Sequence, residues 1–161
     1  MSNANYLLVK DKVQRFAKQM FNIVELNDDG SLSIPYESTH VFVEVYDVTS
    51  DDKGFNDFKK ENDLSFTAIS VWAMVLLEVK PSADLFRWIA IEGQGYDYGG
   101  FKAVERDDGK LNVIFRTGLP GDNLDAGELK EALLAVASVA DGNDEELKAR
   151  FGGLTVADIR N

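Results

Sequence analysis

The sequence predicts an α+β fold: a single antiparallel β-sheet of about five strands with three main helices, in the order α-β-β-β-α-β-β-α. Three observations lead there. Apolar residues recur at helical spacing near both ends of the chain, Thr39 to Val48 alternates with period two, and Asp107-Asp108-Gly109-Lys110 separates two strand-like runs as a hairpin turn does. The connections are mostly short, which suits antiparallel neighbours.

Taken in order, Tyr6, Val9, Val13, Phe16 and Met20 form one face of a first helix, with Lys10, Lys12, Gln14, Arg15 and Lys18 on the other. Asn27-Asp28-Asp29-Gly30 is a turn, because glycine takes positive φ freely and Asn and Asp side chains bond the local backbone. Leu32 and Ile34 alternate with Ser31 and Ser33 as a short strand, and Pro35 places it at a sheet edge. In the next strand Val41, Val43 and Val45 share a core face, opposite His40, Phe42, Glu44 and Tyr46. Thr49 to Asp63 is polar, with Phe55 and Phe58 its only large apolar groups, and reads as a long loop with room for one short helical turn. Leu64 to Val79 is apolar at both alternations and predicts a central strand buried on both sides.

Pro81 ends that strand, Ser82 caps a second helix, and Leu85, Trp88, Ile89 and Glu92 follow at helical spacing. Phe101 to Arg106 and Leu111 to Thr117 are the two strands of the hairpin. Asp125-Ala126-Gly127-Glu128 has the form of a capping box, and Leu129, Ala132, Leu133, Val136, Ala137 and Ala140 make the stripe of the third helix. An Asp141-Gly142 break is expected, then further helix from Glu145 to Phe151, closure at Gly152-Gly153, and one last turn capped by Thr155 and Asp158. Without internal repeats, residues 1–161 are expected to form a single domain.

Composition narrows the function. A chain of 161 residues with 45% apolar and 28% charged side chains is globular, and buries roughly 70% of the surface its unfolded form exposes. The absence of cysteine excludes disulfides, thiolate nucleophiles and cysteine-held metals. A net charge of −11 with no Lys/Arg-rich stretch opposes nucleic-acid binding. The longest uncharged run, Leu64 to Leu77, is shorter than the roughly 20 residues a membrane helix needs, and the start MSNANYLLVKDK shows no signal-peptide pattern. A cytoplasmic protein with no membrane contact is expected.

The stretch GQGYDYGG, Gly93 to Gly100, has the glycine density of a phosphate loop without its arrangement. A dinucleotide fingerprint needs a sixth-position glycine and a strand-to-helix order; here Tyr98 stands sixth and the order is helix to strand. The loop also follows a helix C-terminus, whose dipole repels anions. Gly93 or Gly95 is expected to end the helix, and Gly99-Gly100 to make room for the next strand. Tyr96 and Tyr98, with Trp88 and Phe101 nearby, admit two readings: rings that cover the open end of the core, or a contact surface for a partner. These four are the candidate partner-binding residues.

No chemical constellation competes with them. His40 is the single histidine and has no nucleophile-elbow motif beside it. Asp28-Asp29, Asp51-Asp52, Asp107-Asp108 and Asp144-Glu145-Glu146 read as turns and helix starts; Asp141-x-Asn143-x-Glu145 fails as a calcium loop because Glu146 stands where glycine is needed. No catalytic residue, metal ligand or cofactor is assigned.

Three segments carry a family resemblance: THVFVEV (Thr39 to Val45), LFRWIAIEGQGYDYGGFKAVE (Leu85 to Glu105) and LDAGELKEALLAVASVADGNDEELKARFGG (Leu124 to Gly153). Together they resemble the YbjN-like family in its actinobacterial form, over a span from Asn27 to Gly153. That family is similar in fold to the class I type III secretion chaperones. The resemblance implies a peptide- or protein-binding module, often a homodimer, with no catalytic residues to carry over. It also implies that the second helix contributes to the dimer, here through Leu85, Phe86 and Ile89. Fold alone does not transfer a secretion role. The expectation is therefore a non-catalytic, chaperone-like binding module, with a sensor of small ligands as the alternative and an enzyme as the weaker third reading.

Overall fold

The computed structural model describes residues 4–160. The elements are α1 (Ala4–Met20), β1 (Glu25–Leu26), β2 (Leu32–Tyr36), β3 (Thr39–Asp47), α2 (Lys53–Glu61), β4 (Thr67–Val79), α3 (Ala83–Ala90), a 3-10 turn (Glu92–Gln94), β5 (Gly100–Glu105), β6 (Leu111–Pro120), α4 (Ala126–Phe151) and α5 (Val156–Arg160). The strands form one antiparallel sheet in the order β1-β2-β3-β4-β6-β5. The expected fold class is therefore present, with six strands in place of five. The additional strand is the two-residue β1, too short to leave a pattern; it pairs Glu25 with Ser33 and Leu26 with Leu32. Pro35 lies beyond its reach, so the missing N–H interrupts no ladder there.

The register puts Leu32 and Ile34 beside Val43 and Val41, those beside Val71 and Ala73, and these beside Thr117 and Phe115. Successive residues point to opposite faces, so one face is almost wholly apolar. Val9, Val13 and Ala17 of α1, Leu85 and Trp88 of α3, and the stripe Leu129 to Leu147 of α4 pack into the same core as those strand residues. Helices α1, α3 and α4 thus form one layer on one face. Two irregularities in β4, between Met74 and Leu76 and between Leu76 and Val79, bring Leu77 to a bridge with Leu154, where the chain after α4 takes over from β3.

Several local expectations change. Asp52 accepts the backbone N–H groups of Gly54 and Phe55 and starts a nine-residue helix inside the expected loop. The residue that helix α2 buries is Lys59, whose Nζ donates to the carbonyls of Val48 and Ser65, while Phe55 and Phe58 stay about half exposed. Helix α4 runs unbroken through Asp141-Gly142: Ala140, Asp144 and Leu147 are all buried, and their packing outweighs the roughly 1 kcal/mol that glycine costs a helix. Helix α3 ends at Ile91 rather than at Gly93 or Gly95. Asp125 and Glu128 do form a reciprocal capping box, and Ser82 accepts the Leu85 N–H.

Candidate functional site

The Gly93–Gly100 loop is held from both sides. Gly93 is buried beneath Trp88 and Phe101, where an added Cβ would meet their rings at 3.1 and 3.2 Å. Gly99 has φ +83, and a Cβ there would lie 2.6 Å from the carbonyl oxygen of Arg116, so only glycine fits as the chain enters β5. Glu92 accepts two hydrogen bonds from Arg150, at 2.7 and 3.2 Å, tying the 3-10 turn to the end of α4.

Between these anchors the four candidate aromatics separate. Trp88 is 7% exposed and Phe101 is 2% exposed. Their rings meet edge to face at 4.7 Å, and Phe101 packs on Phe115 at 5.0 Å. Both belong to the core and have no free surface for a partner. Tyr96 is half-buried, packs on Phe101 and Phe115, and its hydroxyl donates to Asn143 Oδ1 at 3.3 Å. Tyr98 alone reaches outward, 71% exposed and with no hydrogen bond or ring contact among the described residues. It lines a groove of about 260 Å³ with Thr117 and Leu119 of β6 and Glu128, Glu131, Ala132 and Ala135 of α4.

The three candidate dimer residues divide similarly, although they lie on one short helix. Leu85 is 1% exposed and is core, Ile89 is half-buried, and Phe86 is 48% exposed. Ile91, at the end of the same helix, is exposed as well.

The second surface was not anticipated. The face of the sheet turned away from α1, α3 and α4 carries His40, Phe42, Glu44 and Tyr46 of β3 beside Trp72 and Met74 of β4. Phe42 and Trp72 stack with centroids 4.3 Å apart and planes 18° apart. Trp72 Nε1 donates to Glu44 Oε1 at 3.0 Å, and the Tyr46 hydroxyl donates to the same carboxylate. Glu44 thereby holds the indole in place against Phe42. Trp72 and Met74, like Phe42 beside them, are partly rather than fully buried, which corrects the expectation that the central strand is buried on both sides. Beside them the Ser70 hydroxyl is buried and has no hydrogen-bond partner among the described residues.

His40 meets Phe42 edge to face at 6.3 Å. Burial, and then the positive charge of Arg160, hold its pKa below the ordinary imidazole value. Among the described residues no three His, Asp or Glu side chains come together in a metal-holding group, and no helix is long and apolar enough to cross a membrane.

Comparison with known proteins places this arrangement. YbjN from E. coli superposes with a TM-score of 0.58 at 12% identity, covering 86% of this chain and 92% of that one. A chain of the ExsC–ExsE complex gives 0.55 at 12% identity, covering 87% and 93%. The Yersinia pestis type III secretion chaperone SycH, solved in complex with a stable fragment of YscM2, gives 0.48 at 9% identity, covering 83% and 98%. At these identities the likeness to YbjN and to the ExsC–ExsE chain is one of fold alone. No curated protein sequence matches significantly. A family model described as "T3SS (YopN, CesT) and YbjN peptide-binding chaperone 1" matches residues 60–159, well over half of the chain. The chain belongs to that family of peptide-binding chaperones, related in fold to the type III secretion chaperones.

Proposed function

We propose that this protein is a non-catalytic, chaperone-like module of the bacterial cytoplasm that captures an extended segment of another polypeptide. The observation that carries the reading is the sheet face turned away from α1, α3 and α4, where a stacked, partly exposed Phe42–Trp72 pair stands at the centre of the fold. Flat aromatic surface with a fixed indole offers binding energy at little entropic cost, because Glu44 already holds the ring. Family membership supports a peptide as the ligand. The net charge of −11 favours a basic or apolar segment over an acidic one.

Self-association belongs to the same reading. Phe86 and Ile91 are exposed on and beside α3, the helix that the family resemblance links to a dimer, while Leu85 serves the core. Light scattering at high concentration should give twice the chain mass; a single-chain mass rejects the dimer and leaves peptide binding untouched.

The experiment for the main reading selects peptides from a random phage-displayed library and measures the enriched sequences by fluorescence anisotropy. Wild type should yield a reproducible motif with saturable binding, and Trp72→Ala should lose it while still unfolding cooperatively. Selection that enriches nothing above background, or peptides indifferent to both Trp72→Ala and Tyr98→Ala, would refute the assignment.

A further inference from the structure

Strand β6 is longer than its outer neighbour. Strand β5 pairs with Leu111–Arg116 only, whereas β4 pairs with β6 as far as Pro120. Thr117–Pro120 therefore has a strand on one side and none on the other, because the chain turns away at Gly99. Among the described residues no backbone group outside the ladder bonds to this stretch. Gly118 and Pro120 are exposed. A free strand edge is a template for one more strand.

That edge borders the groove lined by Tyr98, Leu119, Ala132, Glu128 and Glu131. Its floor is apolar and its rim acidic. No Lys or Arg lines it, and neither glutamate belongs to any of the protein's ion pairs among the described residues. Glu128 Oε2 accepts the Asp125 N–H of the capping box, and Oε1 takes no hydrogen bond among the described residues. A long cationic side chain suits such a place: its methylenes cover the apolar floor, its charge meets two carboxylates, and Tyr98 supplies a ring face.

The geometry points to a specific subsite: an extended polypeptide pairs with the free edge of β6 at Thr117–Leu119 and seats an arginine or lysine side chain between Tyr98 and the Glu128–Glu131 rim of α4. This rests on the peptide-binding reading and locates a second contact, on the opposite side of the sheet from Trp72.

The probe is a fluorescein-labelled five-residue peptide alternating valine and arginine, compared with its glutamine and glutamate counterparts and with an arginine version methylated on alternate backbone nitrogens. The arginine peptide should bind, more weakly as salt rises. The glutamate and N-methylated peptides should fail. Tyr98→Ala and Glu131→Gln should each weaken binding about 2- to 10-fold with an unchanged unfolding midpoint, whereas Ile23→Ala, at an exposed position away from both surfaces, leaves the affinity as it was. Equal binding of all charge versions, or insensitivity to N-methylation, overturns the subsite. Binding lost in Trp72→Ala but kept in Tyr98→Ala overturns it too, yet retains the peptide-binding reading. The same holds if library-selected peptides bind while the arginine peptide does not. Self-association that Tyr98→Ala abolishes, with no peptide bound, means a second copy occupies the groove and also overturns the subsite. Failure of both the arginine peptide and the library overturns both proposals.

Discussion

The two faces of this sheet are built from alternate residues of the same strands, yet they are made of different chemistry. On the helix side Val41, Val43, Ile69, Val71, Val113 and Phe115 are at most 2% exposed. On the other side Phe42, Trp72 and Met74 stay partly exposed, and a carboxylate braces the indole: Glu44 takes its N–H and the Tyr46 hydroxyl. Branched aliphatic side chains fill space best against helices, where packing is dense and dry. Flat rings braced by a carboxylate keep their shape in water and still present apolar area. The difference teaches that one period-two pattern can carry two tasks. Substitutions on the first face should act on stability, and substitutions on the second on binding.

The largest effect should come from the covered face. Phe115→Ala removes a ring at full burial that touches Tyr96 and Phe101, and should cost about 3–5 kcal/mol in urea denaturation. A loss comparable to that of Trp72→Ala would erase the distinction between the faces.

Next comes the clasp that closes the covered layer at the far end of β4. Burial alone would raise the Asp122 carboxyl, but the N–H groups of Phe66 and Thr67, at 2.9 and 3.1 Å, and the hydroxyls of Thr67 and Ser65 bring it below its ordinary value. Asp122→Asn should cost about 1–3 kcal/mol, since the amide replaces an acceptor with a donor facing donors. A carboxyl lowered by folding stabilises the native state above its unfolded value, near 3.8, and that contribution disappears as pH falls through the lower native value. The gap between wild type and variant in thermal midpoint should therefore narrow below about pH 4. A gap that widens there contradicts the assignment.

Trp72→Ala should cost less, about 0.5–1.5 kcal/mol for the lost stack beyond its partial burial, while abolishing capture of library-selected peptides. This pairing of a small stability effect with a large binding effect sharpens the comparison most. His40→Gln should be the mildest, within about 0.5 kcal/mol at neutral pH. Its folded pKa lies below the ordinary 6.5, so the unfolded chain takes up the proton first and wild type loses stability as pH falls below that value. The variant should lack this component of the decline between about pH 7 and 5. An identical decline in both proteins would show that burial at His40 is not felt.

Much of the covered layer was legible in the chain itself. The alternation of Val41, Val43 and Val45, the Asp125/Glu128 capping box and the Asp107–Lys110 turn are local signals, and each has its predicted form. The family resemblance likewise agrees with the matched family. What was not legible depends on tertiary partners. Helix α2 docks through Lys59, a charged residue that no apolar stripe marks as an anchor. Gly142 stays helical because Ala140 and Leu147 are packed on either side of it.

The candidate site shows the same divide. Trp88 and Phe101 look like surface anchors beside a glycine loop, but Leu85 and Trp88, three residues apart, form the buried stripe of α3. Only Tyr98 and, partly, Tyr96 remain available. Conversely, the apolar residues at both alternations of β4 suggested burial on both sides, because sequence does not record on which faces helices lie. The mixed character of His40, Phe42, Glu44 and Tyr46 was the signal that could have revealed the partly exposed face.

The central claim, that the face turned away from α1, α3 and α4 is a binding surface, is tested most directly by amide NMR of the isotope-labelled protein titrated with its tightest library-selected peptide. The account predicts saturable shifts centred on His40–Tyr46 and Ala68–Met74, absent in Trp72→Ala. Shifts confined to the outer surfaces of α1 and α4, or no saturable shift, would contradict it.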